Sequence, residues 1–214
     1  MLPSERLKII FSVLPKCRKF ADVGCDHGYV AKEMLLSGKA EKVVASDISE
    51  PSLNKARLIL SEFGKSAECV LSDGLKQIPP DTDLVLIAGM GGEEIISILL
   101  SAPFLPEKLV VQPMKNADKL RKTLLSFGYA FKKDFMFKDV KFYDLIYAEK
   151  GADDLTENEI LFGRDNLNGN NKAFKEYLGK EIEKYEAILS GELNDAVRAE
   201  IEKKKRKLTE VYVK

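Results

Sequence analysis

An α/β fold with a mainly parallel sheet and a helical appendage is predicted by three features of the 214-residue sequence. Short apolar runs alternate with helical patterns over roughly the first 150 residues, the rhythm of strand-turn-helix units. The last two apolar runs have no helix between them. Beyond Asp153 strand-like runs stop, and charged residues take over at helical spacing.

In chain order the strands are "KFADV", "KVVAS", "ECVLS", "DLVLIA", "KLVVQP", "YAFKKDFMF" and "KFYDLIYAE". Each of the first five is followed by Gly, Pro or a capping residue and then a helix, as in a doubly wound sheet. The last two are separated only by Lys138 to Val140 and read as an antiparallel hairpin at the sheet edge, giving seven strands with an antiparallel terminal one. Phe174, Tyr177, Leu178, Ile182, Tyr185 and Leu189 recur at three-and-four spacing. Leu193, Val197, Ile201, Leu208 and Val211 repeat the pattern after "SGELN", which predicts a helical hairpin. The expected division is 1–152 for a nucleoside-binding catalytic domain and 153–214 for the helical one.

Hydrophobic residues make up 45% of the chain and charged ones 32%, enough for one sizeable core. No apolar run is long enough to span a membrane and no secretory pattern opens the chain, so a cytoplasmic protein is expected. Cys17, Cys25 and Cys69 lack CxxC spacing and are expected as buried apolar residues, with no metal site. Basic and acidic residues balance at 34 each, which excludes an overall basic field and leaves nucleic-acid binding to a local patch. One such patch is Lys115 to Lys141, with eight basic residues against three acids. "EKKKRK", Glu202 to Lys207, is a second basic run.

The stretch "DVGCDHGYVA", from Asp22 to Ala31, reads as strand end, glycine turn and helix start, where this architecture holds a nucleotide-like ligand. A dinucleotide fingerprint needs a second glycine where this chain has Asp26. A carboxylate there would face a phosphate at about 4 Å, a repulsion of about 4 kcal/mol at an effective dielectric near 20. No P-loop pattern is present either. S-adenosylmethionine inverts these preferences, because it carries a sulfonium and an ammonium and no phosphate. Asp22 and Asp26 then attract it, and Gly24 lets the backbone approach. Asp47, about 20 residues on, is placed to take the ribose hydroxyls, and Asp73 to accept from the adenine amino group. The expected cofactor set is Asp22, Gly24, Cys25, Asp26, Gly28, Asp47, Ile48, Asp73, Gly74, Ala88 and Gly89. Asp22 has a second reading, as stabiliser of a nearby helix N-terminus.

"ADVGCDHGYVA", "SDGL", "AGMGGEEI", "LVVQP" and "FYDLIYAE" together resemble the bacterial tRNA adenine-22 N1-methyltransferase family, over essentially the entire chain. The resemblance implies a class I methyltransferase domain with a Rossmann-like sheet, a coiled-coil-like helical domain, and transfer of a methyl group to N1 of adenine 22 in tRNA. Two positions depart from the family pattern: Met114 follows Gln112 and Pro113 where Asn is usual, and Asp47 stands where some relatives have Glu.

Adenine N1 has an in-plane lone pair, so no base is required and alignment of the reacting atoms carries much of the work. The product ring is cationic, which makes a nearby carboxylate useful. Asp26 is the candidate for that role and His27, the one histidine, for contacting the base or a phosphate. The expected substrate set adds Tyr29 as a stacking face, Met90 and Gly91 in an open glycine turn, Gln112 and Pro113 at the fifth strand end, and Lys115, Lys119 and Arg121 as phosphate contacts. N1 lies on the Watson–Crick edge, so the adenine has to be unpaired or extruded. A monomer is expected. Two alternatives stay open on the residues alone: a methyltransferase for ribosomal RNA, protein or a small molecule, and a non-catalytic RNA-binding protein with a retained nucleoside pocket.

Overall fold

The computed structural model of the chain describes residues 2–213. Its elements, in order, are α1 (Glu5–Val13), β1 (Cys17–Val23), α2 (Tyr29–Leu36), β2 (Ala40–Asp47), α3 (Glu50–Leu60), β3 (Ala67–Leu71), β4 (Leu84–Met90), α4 (Gly92–Leu100), β5 (Lys108–Pro113) and α5 (Ala117–Ser126). These are followed by β6 (Tyr129–Lys138), β7 (Phe142–Lys150), α6 (Glu157–Phe162), α7 (Arg164–Asn168), α8 (Lys172–Leu189) and α9 (Asp195–Tyr212). A 3-10 turn at Ser61–Ser66 leads into β3.

The seven strands form one sheet in the order β3-β2-β1-β4-β5-β7-β6. Strands β1 to β5 pair in parallel, and β7 runs antiparallel to both neighbours. The antiparallel strand is last in the chain but sits one place in from the edge, where β6 lies. Apolar runs such as Leu84–Ile87, buried on both faces, are what a sheet covered on both sides demands. One core layer joins Ile10, Met34, Leu53 and Leu60 from α1, α2 and α3 to Phe20, Leu84 and Leu86. The other joins Ile95, Leu99, Leu120 and Leu124 from α4 and α5 to Val23, Val85 and Ile87.

Two expectations are corrected here. No helix follows β3: residues 72–83 run in turns, with Leu75 and Ile78 buried as the crossover's anchors. Pro79 and Pro80 deny the segment helical backbone bonds. Among the cysteines, only Cys25 is buried, whereas Cys17 and Cys69 are half-buried.

The helical region begins with α6 and α7, which the sequence pattern did not signal. Thr156 and Glu159 form a reciprocal capping box at the start of α6. Asn166 of α7 accepts from the Met136 N–H at 2.8 Å and tethers it to β6. The predicted hairpin follows as α8 and α9, packed through Phe174, Leu178 and Leu208 onto Met136.

Candidate functional site

The carboxyl ends of β1, β2, β3 and β4 meet at a cleft of about 480 Å³. The first turn bounds it with an unusual backbone: Gly24, Asp26 and Gly28 all have positive φ (73°, 48° and 71°). Glycine adopts that region freely, and an aspartate does so more readily than most residues. The Gly24 and Cys25 N–H groups both donate to Ser46 O (2.8 and 2.9 Å), lashing the turn to β2. The Asp47 carboxylate accepts from Asp26 N–H (3.2 Å) and Ser49 N–H (2.8 Å). Gly28 heads α2 with φ 71°, and a β-carbon there would stand a tight 3.1 Å from Ala56 Cβ, so backbone and packing against α3 both favour glycine.

Of the residues singled out from sequence, Gly24, Asp47, Ile48, Asp73, Gly74, Ala88, Gly89 and Met90 line the cleft. Ile48 is 72% exposed, an apolar ledge beside the two carboxylates. Gly89 sits where the β4–β5 register slips, bulged out of the ladder with φ 83°. Gly92 packs where a β-carbon would be 2.5 Å from Asn116 O, so the start of α4 is held against the segment after β5.

Asp22 lies beneath the cleft rather than on its wall, buried at 5% exposure. Burial pushes its carboxyl up to about 7, with Asp47 adding to the rise and the Ala31 N–H opposing it. That amide belongs to the first turn of α2, so the helix-stabilising reading of Asp22 matches its geometry. Cys25 is also buried under the turn, its thiol pushed up by burial and by Asp22 and Asp47.

Asp26 stands at the rim, its carboxylate 3.5 Å from His27 Nε2 and 3.6 Å from Lys55 Nζ. The imidazole lies parallel to the Tyr29 ring at 5.3 Å and within 3.3 Å of Lys55 Nζ. Asp26, His27 and Tyr29 are therefore brought together, with Lys55 added from α3, where an isolated lysine on an exposed helix face carries no sequence signal.

Three of the substrate assignments are corrected. Arg121 is fully buried and ion-paired with Asp134 (2.8 Å) and Asp144 (2.7 Å), so it cannot reach a phosphate. Burial works against its charge, but Asp144 and Asp134 outweigh it and hold the guanidinium above its ordinary value. Gln112 is wholly buried, its Oε1 accepting from Arg6 at 2.7 Å and its Nε2 donating to Pro113 O at 3.1 Å. Pro113 is buried beside it. Gly91 N–H donates to Glu94 (3.3 Å), Lys115 is exposed, and Lys119 is bonded to Glu93. Arg6 was missed because it arrives from α1, far from every motif in sequence.

Among the described residues no group of three His, Cys, Asp or Glu side chains is placed to hold a metal ion. Among them, too, no helix is long and apolar enough to cross a membrane.

A family model for tRNA (adenine(22)-N(1))-methyltransferase matches residues 20–212. The chain belongs to that family. A Bacillus subtilis tRNA (adenine(22)-N(1))-methyltransferase is 28% identical over 97% of this chain and 92% of its own length. Among solved structures, the Mycoplasma capricolum relative in complex with S-adenosyl-homocysteine superposes with a TM-score of 0.89 at 26% identity, covering 99% of this chain and 98% of that one. Sp1610 from Streptococcus pneumoniae in complex with S-adenosyl-L-methionine gives 0.88 at 26% identity, covering 99% and 100%. As a member of this family the chain is a tRNA methyltransferase of the class I fold, with N1 of adenine 22 as its target.

Proposed function

We propose that this chain uses S-adenosyl-L-methionine as methyl donor for tRNA adenine 22, with the residues divided as follows. The observation that carries the reading is that Asp47 and Asp73 face one cleft with Gly24 and Gly89. Two carboxylates and open backbone suit a phosphate-free nucleoside with a cationic tail. They do not suit a pyrophosphate. When bound, the donor supplies an electrophilic methyl group on a sulfonium.

Asp47 takes the ribose hydroxyls: its oxygens already accept two backbone amides, which fix the carboxylate's direction. Asp73 accepts from the adenine amino group, and Ile48 lies against the ring face. Met90 is a flexible thioether lying over Gly24, so the cleft can open at that end by rotation of one side chain. Asp22 and Cys25 support the turn from below.

Asp26 stabilises the positive charge that the target ring acquires, and His27, stacked on Tyr29, orients the base. Lys115, exposed beside the glycine turn, is the phosphate-facing cation of the rim, whereas Lys119 is held by Glu93. Residues 1–152 act as the catalytic part and 153–214 as a further tRNA contact, with α8 and α9 extending the surface past β6. The working unit is a monomer. Cytoplasmic tRNA is its partner.

The deciding experiment incubates the chain with methyl-labelled S-adenosylmethionine and unmodified total tRNA, then maps the label. Label at N1 of adenine 22 is expected, and label on another acceptor would overturn the reading. Asp26→Asn is expected to lower turnover with donor affinity unchanged, and full turnover would remove Asp26 from the chemistry.

A further inference from the structure

The Gly89–Gly91 turn is flanked by two cations that form no ion pair among the described residues. Arg6 comes from α1, with Nη1 3.5 Å from where a β-carbon on Gly89 would stand. Lys115 comes from the segment after β5, with Cε 3.3 Å from the corresponding point on Gly91. Other cations around the mouth are neutralised: Lys76 by Asp73 at 2.6 Å, and Lys119 by Glu93. Glu93 is also the carboxylate that feels Lys115, and Lys119 already holds it.

Arg6 is held without being discharged. Its Nη1 donates to Oε1 of the buried Gln112 at 2.7 Å, and its guanidinium lies 6.0 Å from the Tyr143 ring centroid. Asp139 is engaged by the Arg6 backbone N–H at 3.1 Å. An amide oxygen fixes the direction of the guanidinium fork but cancels no charge, so the remaining N–H groups keep full capacity for an oxyanion. Arg6, the Pro113 carbonyl and the Met114 sulfur (3.5 Å) together engage the Gln112 amide, so its polar atoms are satisfied although it is buried.

We propose that Arg6 and Lys115 form a phosphate clamp, taking backbone phosphates on the two sides of the extruded adenosine. This rests on the tRNA reading above. The location favours RNA: Arg6 stands at Gly89 in β4 and over Tyr143 of β7, and Lys115 at Gly91 just past β4, whereas Asp47 and Asp73 line the cleft on the β2 and β3 side. A nucleotide pulled out of its stack carries a phosphate on each flank, and an uncluttered glycine turn between two cations accommodates the base between them.

The test uses the full chain with Arg6→Met, Arg6→Lys and Lys115→Met. For each Met variant the KM for unmodified tRNA is expected to rise about tenfold, with kcat at saturating tRNA falling less than about threefold. The slope of log affinity for tRNA against log salt is expected to shrink by about 0.7–0.9 per contact removed. Arg6→Lys keeps the charge and recovers part of the KM. S-adenosyl-homocysteine affinity by calorimetry is expected to stay unchanged in all three. Unchanged KM and salt slope would overturn the clamp. So would a loss of S-adenosyl-homocysteine affinity with methylthioadenosine affinity preserved, because Arg6 would then serve the donor's carboxylate. A wild-type chain that binds S-adenosyl-homocysteine yet methylates no tRNA would instead sink the functional reading.

Discussion

The terminal methyl of Met90 lies 2.2 Å from the position a β-carbon on Gly24 would take. The first turn and the β4 glycine turn thus meet face to face, and Gly24 also has φ 73°. Gly24→Ala therefore carries a backbone cost of about 1–2 kcal/mol and has to expel Met90. We expect S-adenosyl-homocysteine affinity to fall more than about tenfold, with a measurable loss of stability. Adding Met90→Ala gives back the room but not the backbone freedom, so the double variant should be more stable than the sum of the singles implies. Additive losses in denaturant melts would show that the two positions do not interact.

Asp22 makes the protein's stability and its donor affinity respond to pH in opposite directions. Its folded pKa of about 7 is above the ordinary 3.8, so the folded state binds this proton more tightly than the unfolded one. Stability from this group is complete below about pH 4 and is lost as pH rises to about 7. Asp22→Asn should therefore melt higher than wild type at pH 8 and equally at pH 3.5. A cationic donor above the carboxyl favours its ionised form, so affinity should rise from about pH 6 to 8 with proton release. Calorimetry in buffers of different ionisation enthalpy reads that proton, and Asp22→Asn should release none.

The sheet was legible because its strands are apolar runs between turn residues, and the cleft because Asp47 ends β2 and Asp73 lies just past β3. Position after a strand is a local signal, and it placed eight named residues on the cleft wall. Depth is not local. Nothing near Arg121 in sequence indicates that Asp134 and Asp144 wait for it on the hairpin, so a basic residue in a basic window read as a surface contact. Gln112 fails for the same reason, since its partner Arg6 lies 106 positions away in the chain. The crossover after β3 follows the strand-turn-helix rhythm in its composition, but Pro79 and Pro80 deny it helical bonds and it runs in turns.

Asp73 tests the adenine end of the cleft. Its carboxylate is bonded to Lys76 at 2.6 Å on one oxygen, leaving the other to accept from an exocyclic amine. Wild type should discriminate S-adenosyl-homocysteine from its inosyl analogue, which presents a carbonyl there instead. Asp73→Asn offers an amide donor as well as an acceptor. It should lower the adenosyl affinity about three- to tenfold and narrow the preference. An unchanged preference in competition titrations would move Asp73 off the base.

Arg121 tests what ties the helical region to the sheet. Its Nε donates to both Asp134 oxygens at 2.9 Å, its Nη2 to Asp144 at 2.7 Å and its Nη1 to Ile160 O at 3.3 Å, so one buried side chain joins α5, β6, β7 and α6. Asp134 is pushed up by burial, and it is Arg121 that favours its ionised form. Removing the cation leaves a buried carboxyl with no counter-charge, so Arg121→Met should cost about 3–5 kcal/mol in denaturant melts. Adding Asp134→Leu should recover part of that loss by removing the stranded group. Because neither residue touches the cleft, S-adenosyl-homocysteine affinity should hold at temperatures where the variant is folded, whereas hydrogen exchange should quicken in α6 and α7. A cofactor affinity that fell with stability intact would mean the network also shapes the cleft, since the buried pair is then coupled to the sheet and the β4 glycine turn rather than to the helices alone.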